Sequence, residues 1–240
     1  MLQRSRAEFL SGIKDSVPIA LGYLSVSFGF GIMAVSAGLS VWAAVVISLT
    51  NLTSAGQVAG LSVITGGGTL IEMAIAQFII NLRYALMSIS LSQKLDKTFD
   101  LPARLTASFG ITDEVFAVAS GRGKEVSKYY LYGLILAPYF AWALGTLLGA
   151  AAGEILPPML KAALGIAIYG MFTAIVMPAA RKAVGVLTVT VIAAALSCAI
   201  RYIPVFSGIS AGFSIIICTV AAAAAGAVLF PVKEEEGGER

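Results

Sequence analysis

Residues 128–152 read KYYLYGLILAPYFAWALGTLLGAAA, and no charged residue follows Lys128 in that run. A helix needs about 20 such residues to cross the roughly 30 Å hydrocarbon core of a bilayer, so the stretch reads as a membrane span. Working outward, blocks of the same kind cover residues 16–37, 41–65, 69–92, 105–120, 157–178, 183–203 and 208–230. The alternating segments of about ten residues that mark a transmembrane barrel are absent. Only 12% of the 240 residues are charged and 58% are apolar, against about a quarter charged in soluble domains. A water-soluble globular enzyme is excluded, as are disordered and fibrous classes. The expected fold is an all-α polytopic membrane protein with one transmembrane domain over 16–230, a cytoplasmic amphipathic lead-in over 1–15 and a solvated cytoplasmic tail over 231–240.

The blocks are not equivalent. Asn51-Leu52-Thr53-Ser54-Ala55-Gly56-Gln57 sits at the centre of 41–65, while 105–120 is short and holds Asp113 and Glu114. Polar backbone at membrane depth survives only against protein or a wet cavity, so both blocks are expected to be broken or re-entrant. Short cytoplasmic loops collect Lys and Arg. If both blocks dip in and return, six spans remain and both termini are cytoplasmic. Arg4, Arg6, Lys14, Lys94, Lys97, Arg104, Arg122, Lys124, Lys128, Arg181, Lys182, Lys233 and Arg240 then lie inside, and only Arg83, Lys161 and Arg201 do not. If all eight blocks cross, Lys94, Lys97 and Arg104 fall outside, so six spans with two re-entrant elements is preferred. The pairing of Gly22–Gly38 with Gly133–Gly149 suggests an internal repeat, an arrangement common in transporters. Gly22, Gly29, Gly31 and Gly38, with Gly145, Gly149 and Gly153, are spaced for close helix packing.

The chemistry available is narrow. There is no histidine, and Cys198 and Cys218 both lie inside apolar blocks, where a free cysteine acts as a small hydrophobe. Zinc sites and Ser-His or Cys-His nucleophilic pairs are thereby removed, no cofactor is expected, and no G-x-x-x-x-G-K-[ST] loop exists to bind a nucleotide. A formal charge of +3 is too weak and scattered for nucleic acid.

Ionisable groups at membrane depth are costly and so are functional candidates. Arg83, with Asn81 two residues before it, needs a carboxylate, carbonyl or water partner. It reads either as an anchor for a substrate carboxylate or as half of an internal pair with Asp113 or Glu114. Gly110 is expected to break the chain just before Thr112 caps a helix, which puts Asp113 and Glu114 in its first turn. Gly56, beside Ala55, permits an unwound turn whose amides could meet a carboxylate. Gln77 shares a helix face with Asn81. Glu72 and Glu154 read as interfacial groups at helix ends, Arg201 and Tyr202 as an outer anchor, and Trp42 and Trp142 as belt residues or pocket walls.

The run Ser48, Ala55-Gly56-Gln57, Asn81-Leu82-Arg83-Tyr84, Thr112-Asp113-Glu114-Val115-Phe116, then Tyr139 and Trp142 before Gly145 and Gly149, resembles the AzlC family of branched-chain amino acid permeases over about residues 8–180. The chain departs from the family pattern in placing Gln57 directly after Gly56, and in carrying Tyr84 where members often have histidine. The resemblance implies the large subunit of a two-component exporter of leucine, isoleucine, valine and analogues. Its partner would be a small hydrophobic AzlD-type membrane subunit.

A zwitterion needs a cation for its carboxylate, an anion for its ammonium and an apolar cup. Arg83 with the Ala55-Gly56 turn, Asp113 or Glu114, and Phe78, Phe109, Phe116 and Trp142 are the corresponding expectations. Transport is expected by rocking about this site, driven by the proton gradient. An intramembrane aspartyl protease lacks its Gly-x-Gly-Asp signature here, so no enzyme is expected. A passive channel, or an exporter of methionine or organic acids, stays open at this level.

Overall fold

The computed structural model describes residues 2–157, 159–160 and 166–231. Among them all extended regular structure is helical: α1 (Leu2–Ser36), α2 (Val41–Thr50), α3 (Ser54–Thr65), α4 (Leu70–Ser92), α5 (Leu101–Ser108), α6 (Asp113–Gly121), α7 (Lys128–Ile155), α8 (Ala167–Lys182), α9 (Val184–Tyr202) and α10 (Ala211–Leu229). Five of these helices, α1, α4, α7, α9 and α10, are long and apolar enough to span a membrane. The expected all-α polytopic class is the one observed. The expected span at 157–178 falls partly outside the described residues, as do Lys161 and the tail from residue 232, and nothing is described of the Glu154 side chain. Both blocks read as broken are broken: 41–65 divides into α2 and α3, and the region of 105–120 into α5 and α6. The lead-in and the first span form one continuous helix, α1, with Pro18 inside it.

The chain forms two compact units, Met1–Leu61 with Asn81–Tyr169, and Ser62–Ile80 with Gly170–Arg240. The first unit is built on α1 and α7. A Cβ at Gly12 would strike the Tyr130 carbonyl and lie 2.8 Å from Leu134 N, and one at Gly31 would strike the Thr146 carbonyl and lie 2.5 Å from Ala150 N. The register advances in the same sense on both helices, so they run parallel. Gly145 against Leu24 and Gly149 against Phe28 complete the seam from the other side. In lipid, helix association has no hydrophobic drive and depends on such close contact. Gly22, which faces open space, has no part in it.

At the start of α1 and α7 the charged loops gather. Glu8 pairs with Arg122 at 2.7 Å and with Lys124 at 2.8 Å, and the Arg122 guanidinium lies 3.6 Å from the Tyr130 ring centroid. Tyr130 donates in turn to Asp15 at 2.8 Å. Asp96 N donates to Val126 O at 3.0 Å and Val126 N to Lys94 O at 2.8 Å. Lys94 Nζ donates to the Ser120 and Arg122 carbonyls. Asp100 caps α5 by accepting from Ala103 N at 2.9 Å. That bond, with Lys128 beside it, holds its carboxyl below the usual carboxylate range, so the ionised cap is lost only as pH falls through that lowered value.

The loop before α5 and the loop after α6 therefore lie together at one end of the unit. Between them α5 runs along α7, with Thr106 Oγ1 2.5 Å from the Tyr132 hydroxyl and Gly110 against Ile135. The chain then turns at Phe109–Thr112, and α6 returns along α1 for roughly 14 Å, its N-cap Thr112 at Tyr23 and the Arg122 side chain after its end reaching Glu8. The α5–α6 segment is a hairpin whose two ends lie together. In the second unit, α9 and α10 form an antiparallel pair, with Gly226 against Val189 and Gly185 against Phe230. Cys198 and Cys218 are free thiols there.

The hairpin sets an expected labelling pattern. In a background lacking Cys198 and Cys218, Lys97→Cys and Lys124→Cys should react with a membrane-impermeant maleimide from the same face of the membrane; reaction from opposite faces would mean that α5–α6 crosses.

Candidate functional site

The two helix breaks of the first unit meet at α7. In the first, α2 ends at Asn51, whose backbone is extended (φ −140°, ψ 93°), and α3 starts at Ser54. The side-chain amide of Gln57 closes this gap. Its Nε2 donates to Asn51 O at 2.8 Å and to Ser48 Oγ at 3.2 Å, while its Oε1 accepts from Trp142 Nε1 at 3.1 Å. Ser48 Oγ lies 2.7 Å from Thr146 Oγ1, and the Tyr139 hydroxyl donates to Leu49 O at 3.0 Å. Ser48, Gln57, Trp142 and Thr146 are all buried. A backbone carbonyl exposed by the break has thus been given a donor within the protein, as burial requires.

The second break, Phe109–Thr112, ends where Thr112 caps α6 by accepting from Val115 N. Asp113 and Glu114 stand in the first turn of α6 and part company there. Asp113 Oδ2 lies 3.0 Å from Arg83 Nη1, with the two side chains nearly half exposed (45% and 44%). Arg83 Nη2 also donates to the Tyr84 hydroxyl at 3.1 Å. Glu114 Oε2 instead accepts from the Tyr23 hydroxyl at 2.5 Å, and that hydroxyl is 2.6 Å from Thr112 Oγ1. The Tyr23 ring meets Trp142 edge-on, with centroids 5.1 Å apart. Tyr23 and Trp142 therefore link the Glu114 carboxylate to the Gln57 amide across the unit. Phe109 packs edge-on against Tyr139, with centroids 6.1 Å apart, so α7 touches both breaks.

The AzlC family model, described as AzlC protein, matches residues 18–156, a range that includes both breaks and all of these groups. The chain belongs to the AzlC family. It is 30% identical over 173 residues to the inner membrane protein YgaZ of Escherichia coli strain K12, covering 69% of this chain and 71% of the relative. An uncharacterized membrane protein of Archaeoglobus fulgidus is 33% identical over 174 residues, covering 72% of this chain and 76% of the relative. No solved structure matches the chain.

Within this AzlC-family membrane protein most of the expected site residues are brought together. Arg83, Asp113, Glu114, Gln57, Trp142 and Phe109 join through the contacts above, and Phe116 is half-buried against the same core. Asn81 is half-buried on α4, two residues before Arg83. The unwound turn expected at Ala55-Gly56 lies three residues earlier, at Asn51–Thr53, and Ala55 and Gly56 belong to the first turn of α3. The reason is local. Gln57 N donates to Thr53 O at 2.8 Å, which starts the helix at once, and the Gln57 side chain holds the extended segment before it. Phe78 is largely exposed on the stretch of α4 assigned to the second unit and is not among the residues the first unit gathers.

Trp142 is buried and Trp42 is exposed, so of the two only Trp142 has a place in the site. Tyr23 and Thr146 were not singled out from sequence. Their only signal is a hydroxyl in an otherwise apolar span, and their partners lie 89 and 98 residues away.

Tyr23→Phe keeps the edge contact with Trp142 and removes the hydroxyl that serves Glu114 and Thr112. Losing it should cost about 1–2 kcal/mol and lower the melting temperature by about 2–6 °C, read by tryptophan fluorescence. An unchanged melting temperature would mean that the link carries no weight.

Proposed function

We propose that the chain is a secondary transporter in the cell membrane that exports branched-chain amino acids, acting with a small hydrophobic AzlD-type membrane subunit and driven by the proton gradient. The observation that carries this reading is the Arg83–Asp113 pair, held at a helix break yet nearly half exposed. Charges at membrane depth are tolerated where they meet protein, water or a ligand. A cation and an anion 3.0 Å apart offer the two poles that a zwitterion needs.

In the proposed cycle the substrate carboxylate takes the place of Asp113 on Arg83, whose planar fork suits it. The substrate ammonium is received by the freed Asp113 or by Glu114. Phe109, Phe116 and Trp142 form the cup for a branched apolar side chain. Gln57, bonded to Trp142, backs the cup together with Ala55 and Gly56 in the first turn of α3, and Asn81 supports Arg83. Discontinuous helices around a central site are the usual means of alternating access. The face carrying Lys94, Lys97, Arg122, Lys124 and Lys128 is the cytoplasmic one by the positive-inside rule, and cytoplasmic termini are part of the same proposal. Family membership supports the membrane and transport parts of this reading, and the paired charges support the substrate class.

The test is leucine efflux from cells preloaded with a leucine-containing dipeptide, expressing this chain with and without the small subunit, with lysine efflux as control. Saturable, gradient-dependent, leucine-selective efflux that needs the subunit is expected. Arg83→Lys should lower it about tenfold, equivalent to roughly 1.4 kcal/mol, while the protein remains folded in the membrane. Unsaturable flux would indicate a channel, and full activity of Arg83→Lys would remove Arg83 from substrate recognition.

A further inference from the structure

Glu72 lies in the second unit, at a helix start where the sequence predicts an interfacial group. It is instead buried, with 3% of its surface exposed. The turn Gly66–Thr69 explains how. Gly66 N and Gly68 N close α3 on Ser62 O and Val63 O, at 3.0 and 2.9 Å, and Gly67 takes φ +67°, a conformation that glycine adopts without strain. Thr69 Oγ1 then accepts from Glu72 N at 3.2 Å and starts α4 with Glu72 turned inward.

Glu72 Oε1 accepts from the Ser210 hydroxyl, and from Gly212 N at 2.8 Å, at the start of α10. A Cβ at Gly68 would come within 2.9 Å of Oε2, and one at Gly212 would collide with Oε1. Two glycines thus make the space that the carboxylate occupies. The Ser210 hydroxyl and Gly212 N are neutral donors, and no lysine or arginine among the described residues forms an ion pair with it. Beside it lies a depression of about 500 Å³ between the turns 66–68 and 208–210, with Thr69, Glu72 and Ser210 at its polar end and Phe213 and Ile217 as its apolar wall. Among the described residues no basic side chain lines it.

We propose that this depression binds a small monovalent cation, either an alkali ion or a primary ammonium group, on the Glu72 carboxylate. The Thr69 and Ser210 hydroxyls and the carbonyls of the two glycine turns are the neutral oxygen ligands. No cation among the described residues meets this enclosed carboxylate, and one monovalent cation in the depression balances its charge. One carboxylate among neutral oxygens suits neither Ca²⁺, which takes 6–8 oxygens and commonly several carboxylates, nor the metals that favour imidazole or thiolate. Carbonyls at helix ends are a usual source of ligands for such ions in membrane transporters. An occupied site would tie the start of α4 to the start of α10, and it does not depend on what the first unit transports.

Thermal unfolding of the purified full-length protein in detergent, at constant ionic strength, tests this. The salts are sodium chloride, methylammonium chloride and tetramethylammonium chloride, the last too bulky for the site and without an N–H. Sodium or methylammonium should raise the melting temperature over tetramethylammonium in a saturable way. Which of the two does so separates a free ion from an ammonium-bearing ligand. Glu72→Gln should abolish the difference. Where that variant does not fold, Glu72→Asp should shift the titration midpoint about tenfold. Equal melting in all three salts, retention of the difference in Glu72→Gln or an unmoved midpoint in Glu72→Asp would leave Glu72 as a helix cap only and overturn the proposal.

Discussion

A helix interrupted inside an apolar slab leaves backbone N–H and C=O groups that water cannot reach, and each must find a partner within the protein. The first unit is organised around two such interruptions. At Asn51–Thr53 the debt falls to one residue, Gln57, whose amide serves the Asn51 carbonyl and Ser48 while accepting from Trp142. At Phe109–Thr112 a threonine cap does the same work, and its neighbours Asp113 and Glu114 are thereby presented to Arg83 and Tyr23. Satisfying the backbone and placing the charges are a single construction.

That construction needs α7 to reach both breaks and α1 to lie close beside α7. The glycine seam supplies the second condition: at Gly12, Gly31, Gly133, Gly145 and Gly149 there is no room for a side chain. Close approach brings Tyr23 of α1 onto Trp142 of α7. The shared contacts then run from the Ser48–Thr146 pair through Gln57 and Trp142 to Tyr23 and Glu114. One run of packed and hydrogen-bonded side chains thus joins the two breaks.

Much of this is legible in the residues. Long apolar blocks gave the fold class, and the polar interruptions located both breaks. Gly110-Ile111-Thr112 announced a helix start that the structure bears out, and Arg83 with Asp113 was one of the pairs open to it. What sequence misplaced or missed has a common physical cause. Gln57 acts through its side chain on a carbonyl six residues earlier, so the unwound turn lies before Ala55-Gly56 rather than at it. Tyr23, Thr146 and Glu72 draw their meaning from partners 89, 98 and 138 residues away, and no local pattern encodes those distances. Glu72 at the first turn of a helix looks interfacial until Ser210 and Gly212 close over it.

The central claim is that opposite charges at the second break read both poles of a zwitterion. Competition against radiolabelled leucine binding to the purified complex tests it most directly, using leucine methyl ester, which lacks the carboxylate, and 4-methylpentanoate, which lacks the ammonium. Unlabelled leucine should compete, and each analogue should be weaker by about tenfold or more. Competition by either analogue as strong as that of leucine would contradict it.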